Sequence, residues 1–196
     1  MEQARTFSDL PSWQQPILRW LFVDMDSFFA SVEQQLDPTL RHRPVAVLPL
    51  LSEHTCVIAA SYEAKTLGIK TGTPVREAKR LCPRIIFRTG SFDRYVDYHN
   101  KVVEAVESCI PVTDICSIDE VACKLDPTQQ NPSVAIALAR QVQQAIRQQA
   151  GVCIGASAGI GPSRLLAKIG SGLEKPKGLV VLGPTPDEIL ARLGDL

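Results

Sequence analysis

The order of apolar runs predicts an α+β fold, a mixed or antiparallel sheet with helices on one face and a small inserted subdomain. Strand-like runs come in neighbouring pairs, 44–51 with 55–61 and 112–117 with 121–125, between single helical segments. A doubly wound parallel sheet would instead alternate one strand with one helix. Residues 62–90 interrupt the pattern with short helical pieces, Gly68, Gly72, Pro74 and many cations. A chain of 196 residues that is 45% hydrophobic can also bury a sizeable core.

Residues 17–24, ILRWLFVD, are apolar, β-branched and aromatic and end in an acid, the pattern of a buried strand with a carboxylate at its tip. A helix follows over 27–35, with Ser27 as N-cap and Phe28, Val32 and Gln35 along one side, and Pro38 closes it. PVAVLPLL (44–51) and TCVIAAS (55–61) read as two strands of a hairpin around Ser52, Glu53 and His54. RIIFRT (84–89) is a short strand, and 92–110 is a helix with Val96, Val103 and Val106 inward, ended by Pro111. VTDICS and VACKL form a hairpin across Ile118, Asp119 and Glu120. A helix over 132–149, a strand over 152–159, a helix over 162–173 opened by Pro162 and a strand over 178–182 complete the order.

Lys+Arg and Asp+Glu both total 21, so bulk charge names no partner. The longest strongly apolar run, Val45 to Leu51, is too short for a bilayer, which takes about 20 residues. Residues 1–16 lack the basic-then-apolar order of a secretory leader and read as a flexible N-terminal extension. Six cysteines are spaced without a CxxC pair or a zinc-like His partner, and they are expected to be buried thiols in a reducing cytoplasm.

The chemistry concentrates in two acid pairs. Asp24 and Asp26 lie in VDMD where a strand leaves the core, and alternation aims both out of the same edge; Asp119 and Glu120 lie at the turn of another hairpin. Singly, each pair is ordinary surface chemistry. Together, acids at strand ends of an antiparallel sheet are what two-metal phosphoryl transfer requires, because Mg²⁺ ions about 3.5–4 Å apart need oxygen ligands held on rigid backbone.

VDMDSFFASVEQ (23–34), AASYEAKTLGIKTGTPVREAKRLCP (59–83), DRY (93–95), CSIDE (116–120) and SAGIGPSRLLAKIGSGLEKPKGL (157–179) resemble, in order, the motif set of the Y-family, DinB/UmuC-like translesion DNA polymerases. The resemblance runs from about Ile17 to the C-terminus. It implies a ferredoxin-like palm over 17–61 and 91–183, a fingers insertion over 62–90, and the start of a truncated thumb connection over 184–196. It also implies template-directed transfer of dNMP from dNTP to a primer 3′-hydroxyl with two Mg²⁺, or Mn²⁺ in their place.

Residue by residue, the resemblance makes Asp24, Asp119 and Glu120 the catalytic, metal-binding carboxylates, with the main-chain carbonyl of Met25 as a further ligand and Asp26 in the same motif. Phe28 and Phe29 fall in the nucleotide-binding segment, where Phe28 suits core packing and Phe29 matches the steric gate that excludes a ribose 2′-hydroxyl. Tyr62, Lys65 and Lys168 match groups that contact the triphosphate. Three positions depart from the pattern: Lys65 replaces a bidentate arginine, which predicts weaker nucleotide binding, while Ala59 replaces a threonine and Lys124 an aspartate, which bear on catalytic efficiency and not on the metal site.

The implied partners are primer-template DNA and dNTP, with a sliding clamp engaged only through segments absent here, no membrane, and a cytoplasmic location, nucleoid-associated in a bacterium. Thumb and little-finger domains lie beyond a chain of this length, so weak activity in isolation is expected. From Lys65 to Lys101 there are nine cations against three acids, a local excess compatible with phosphate contacts or with a solvated charged face. Gly155 to Gly159 satisfies GxSxG, but His42, His54 and His99 all precede Ser157, against the hydrolase order. A nucleotidyl cyclase is disfavoured by the fingers-like insertion. The standing alternative is a non-polymerising nucleotide- or partner-binding module of the same descent.

Overall fold

The computed structural model describes residues 18–183 and 185–194; the whole of the expected N-terminal extension, 1–16, lies outside them. The described residues pack as two compact units, one of 18–24, 106–144 and the described residues of 156–194, the other of 25–105 and 145–155.

The first unit holds a five-stranded sheet. Its strands are β1 (Trp20–Met25), β5 (Asp114–Ile115), β6 (Glu120–Lys124), β7 (Ala156–Gly161) and β8 (Leu179–Val181), in the order β5-β6-β1-β7-β8. β6 runs antiparallel to both β1 and β5, and β7 runs parallel to β8, so the sheet is mixed as expected. β1 is central, and Leu21, Phe22 and Val23 are fully buried, as a strand covered on both faces should be. Gln143 of α5 (Pro132–Gln149) donates from Nε2 to the carbonyls of Ala156 and Gly178, 2.9 Å each, tying together the starts of β7 and β8. α7 (Pro186–Leu193) is capped by Thr185, whose side chain accepts from the Glu188 N–H.

α6 (Arg164–Leu173) begins two residues later than Pro162 suggests, because Ser163 is the cap and its hydroxyl accepts from the Leu166 N–H at 3.3 Å. The helix lies directly on β7. A Cβ on Gly159 would stand 1.9 Å from the Ala167 carbonyl oxygen and 2.4 Å from the Ser171 nitrogen, so only glycine allows this approach. That contact explains the GxSxG spacing: Gly159 is a packing residue, and Ser157 is 1% exposed inside β7, not raised on a nucleophile elbow.

The second unit carries its own three-stranded sheet, β3 (Ala59–Ala60), β2 (Val45–Leu48) and β4 (Ile86–Thr89), in that order. β2 pairs antiparallel with β3 and parallel with β4. The runs 44–51 and 55–61 therefore form a sheet apart from β1, joined by a longer loop than a tight hairpin, since β3 is only two residues long. Leu48, Val57, Ile69, Val75 and Ala78 make its core, with α2 (Tyr62–Lys65) and α3 (Val75–Leu81) contributing. Ser61 caps α2, and its hydroxyl also accepts from the Val45 N–H of β2 at 3.1 Å.

α1 (Phe28–Leu36) and α4 (Phe92–Glu107) complete the second unit's main helices. Ser27 does not cap α1 with its side chain: it sits in the left-handed region at φ 50°, its hydroxyl buried without a partner. A 3-10 turn over Pro38–Leu40 follows, with Asp37 accepting from Thr39. No described helix is long and apolar enough to cross a membrane.

The cysteines are all free thiols, but not all buried: Cys56 and Cys116 are exposed, whereas Cys82 and Cys123 are buried. Burial pushes the Cys123 thiol up to about 12. A thiol-reactive disulfide reagent at pH 8 should label Cys56 and Cys116 in the folded chain and reach Cys123 only after denaturant is added. Gly159→Ala should cost about 1–3 kcal/mol or more by overpacking, lowering Tm by about 2–4 °C per kcal/mol in a thermal melt.

Candidate active site

At the end of the first unit's central strand, the β1–β6 ladder sets Asp24 directly opposite Glu120. Paired residues in such a ladder lie about 4.5–5.5 Å apart at Cα. Asp119 immediately precedes Glu120 in the turn, where Ser117 holds it: the Ser117 hydroxyl donates to Asp119 Oδ1 at 2.7 Å and accepts from the Asp119 N–H at 3.3 Å. Backbone pairing, not side-chain packing, thus brings the three acids to one sheet end. Burial holds the Asp24 carboxyl above the ordinary carboxylate range; Asp119 and Glu120 add to that and the Lys175 ammonium opposes it.

Two lysines answer this negative charge. Lys168 on α6 places its ammonium 2.8 Å from the Glu120 carboxylate, and Lys175, just past α6, bonds to Asp24. Its bond to Glu120 raises the Lys168 pKa. Among the described residues no group of three or more His, Cys, Asp or Glu side chains is gathered closely enough to hold a metal ion. The donors nevertheless suit a hard divalent cation, being carboxylates on rigid strand ends that feel one another's charge. Such an ion would take the place of the two ammonium groups.

Met25 ends β1 and is buried, its carbonyl next in the chain to Asp24. Asp26 does not continue the strand alternation, because it lies beyond β1 in the turn before α1. It is 3% exposed and its Oδ1 accepts from the Tyr62 hydroxyl at 3.2 Å. Lys65 lies with its ammonium 4.4 Å from the centre of the Tyr62 ring, so these two α2 residues form one cationic-aromatic unit.

Phe28 is buried in the core, its ring 5.9 Å from that of Phe29 and tilted by 47°. Phe29 is half-buried and stacks on Tyr95 with ring centres 4.1 Å apart and planes within 9°. Beneath them Glu33 accepts from the Tyr95 hydroxyl at 3.1 Å.

Sequence reasoning missed Lys175, Ser117 and Glu33. Ser117 carried a local signal, a hydroxyl two residues before an acid at a turn; Lys175 and Glu33 carried none without the tertiary structure. The basic stretch is less available than its count suggests, since Arg76 and Lys79 pair with Glu53, Arg80 with Glu77, Arg88 with Asp37 and Arg94 with Glu33.

The impB/mucB/samB family matches residues 23–172, which include every one of these groups except Lys175. A DNA polymerase IV of Moorella thermoacetica is 42% identical over 164 residues, covering 83% of this chain and 40% of that protein. A DNA polymerase IV of Xanthomonas campestris pv. campestris is 38% identical over 163 residues, again 83% of this chain, and 45% of the relative. The chain thus spans less than half the length of these curated relatives. Among solved structures, the insertion ternary complex of Dbh DNA polymerase superposes with a TM-score of 0.79 at 31% identity, covering 91% of this chain and 52% of that one. DinB from Sulfolobus solfataricus gives 0.77 at 30% identity over 90% of this chain and 57% of its own. With the family model matching residues 23–172 and a solved polymerase fold covering 91% of the chain, the chain belongs to the impB/mucB/samB family and has the fold of the Y-family DNA polymerases.

Proposed function

We propose that this chain is the catalytic region of a translesion DNA polymerase, transferring dNMP from dNTP to a primer 3′-hydroxyl opposite a template base. The observation that carries the reading is the β1–β6 register, which puts Asp24 across from Glu120 with Asp119 beside it. Family membership and the polymerase titles of its relatives support it. On this reading residues 62–90 serve as fingers and the flanking segments as palm, and the substrates put the protein in the cytoplasm, at the nucleoid of a bacterial cell.

Asp24, Asp119, Glu120 and the Met25 carbonyl would hold two Mg²⁺, or Mn²⁺. Bound there, the cations lower the pKa of the primer hydroxyl and offset charge on the triphosphate. Lys168 and Lys175, displaced from their carboxylates, are cations with a new demand for oxygen partners, which triphosphate oxygens satisfy. Tyr62 would turn its one hydroxyl proton from Asp26 to a phosphate oxygen, and Lys65 would supply charge without the bidentate geometry of arginine. Phe29 presents a flat, rigid edge to the sugar, where a 2′-hydroxyl would clash.

A second reading has one observation in its favour. With Lys168 on Glu120 and Lys175 on Asp24, the acids are neutralised by the chain itself, as suits a binding module that no longer takes a metal.

Single-nucleotide primer extension at low salt and high protein concentration, with Mg²⁺ or Mn²⁺, separates the two. The polymerase reading expects extension that falls about 10²–10³-fold in Asp119→Ala, the scale of losing one preorganised electrostatic group; no extension by either protein leaves the binding module. Phe29→Ala should lower the dNTP/rNTP preference about 10–200-fold, the range for removing pocket bulk, with dNTP incorporation retained. An unchanged ratio removes Phe29 from the gate.

A further inference from the structure

The DRY segment at 93–95 is the one motif whose chemistry the proposed reaction leaves unused, and its tyrosine lies under Phe29. Tyr95 stands in the first turn of α4, anchored by its N–H to the Ser91 carbonyl at 3.2 Å, and is 2% exposed. Phe29 and Glu33 are four residues apart on α1 and so share a face. That face grips one side chain twice: Phe29 covers the Tyr95 ring, and Glu33 takes the Tyr95 hydroxyl.

Resting on the gate reading above, we infer that Glu33 is a positioning residue for Phe29, acting through Tyr95. A phenol ring free to turn about its side-chain torsions would carry a stacked neighbour with it. Tethering the hydroxyl removes that freedom, and a parallel stack at 4.1 Å transmits the constraint to the Phe29 ring plane. Exclusion of a 2′-hydroxyl depends on a ring that does not yield, so sugar choice depends on a carboxylate that touches no sugar.

Glu33 is 3% exposed, and a carboxylate so buried is sustained only by its partners. These are the Tyr95 hydroxyl and the guanidinium of Arg94, whose Nη1 is 3.4 Å from Oε2. Each oxygen has its own partner, so the Tyr95 bond does not compete with the ion pair. Burial, with the Glu33 charge and bond adding to it, drives the Tyr95 phenol far above its ordinary range, keeping its proton on the donor side of the bond.

Tyr95→Phe deletes the tether and leaves the ring; Glu33→Gln keeps an acceptor oxygen for the hydroxyl and removes the charge. Tyr95→Phe should lower the dNTP/rNTP ratio about tenfold, the scale of one hydrogen bond to a charged group, with dNTP incorporation little changed. Glu33→Gln should retain most of the parent's preference. In the same proteins labelled with fluorophenylalanine, the Phe29 fluorine signal, assigned by its loss in Phe29→Ala, should be single in the parent and Glu33→Gln and broadened or split in Tyr95→Phe. A Phe29 signal unaltered by Tyr95→Phe overturns the inference, whether or not the chain extends a primer. A sugar preference that falls in Phe29→Ala but holds in Tyr95→Phe overturns it alone, whereas one unmoved by Phe29→Ala overturns the gate reading itself.

Discussion

Backbone meeting backbone at Gly159 is the constraint on which the first unit depends. Because no side chain intervenes there, α6 lies against β7 at a distance few helix–sheet contacts reach, and its register along the strand is set. Lys168, one turn along that helix, then falls on Glu120, and the segment leaving α6 brings Lys175 to Asp24. The β1–β6 ladder supplies the acids and the glycine seat supplies the bases. A chain that moved the helix outward by one methyl group would keep its sheet and lose this opposition of charges.

The second unit shows a different economy. Its sheet is small, its strands are four residues or fewer, and α2 and α3 are short, so side chains with two jobs hold it together. Ser61 caps α2 and holds the start of β2; Glu33 satisfies a tyrosine and an arginine; Tyr62 donates to a buried aspartate. Such groups leave little tolerance, since removing either partner strands a buried polar atom at a cost of about 1–3 kcal/mol.

Much of this was legible in the sequence, and what was not has a physical reason. The helix over 132–149 matched in both bounds because eighteen residues of regular amphipathic spacing leave no competing period. Strand β1 and the acid turn at 119–120 were legible from apolar runs that stop at carboxylates. Periodicity says nothing about which strand pairs with which, so 45–48 and 59–60 gave no sign that they join 86–89 in a separate sheet. Ser27 looked like a cap by residue type, yet its positive φ turns the hydroxyl away from the helix. The acids announced themselves at the site, but their counter-ions did not, because Lys175 is 151 positions from Asp24 and only the seating of α6 joins them.

The lysine pairing also bears on how such a protein could exist before it has anything to act on. Three carboxylates crowded at a strand end would repel one another and oppose folding if they had to wait for an ion. With two ammonium groups as resident counter-charges, the chain can reach its native state in a medium stripped of divalent cations, unlike small domains whose folding energy is their metal's binding energy. On the two-metal reading proposed above, an entering ion would have to displace both ammonium groups, and that exchange would lower its net affinity. Folding without an ion and holding one loosely would then be two faces of the same charge pairing.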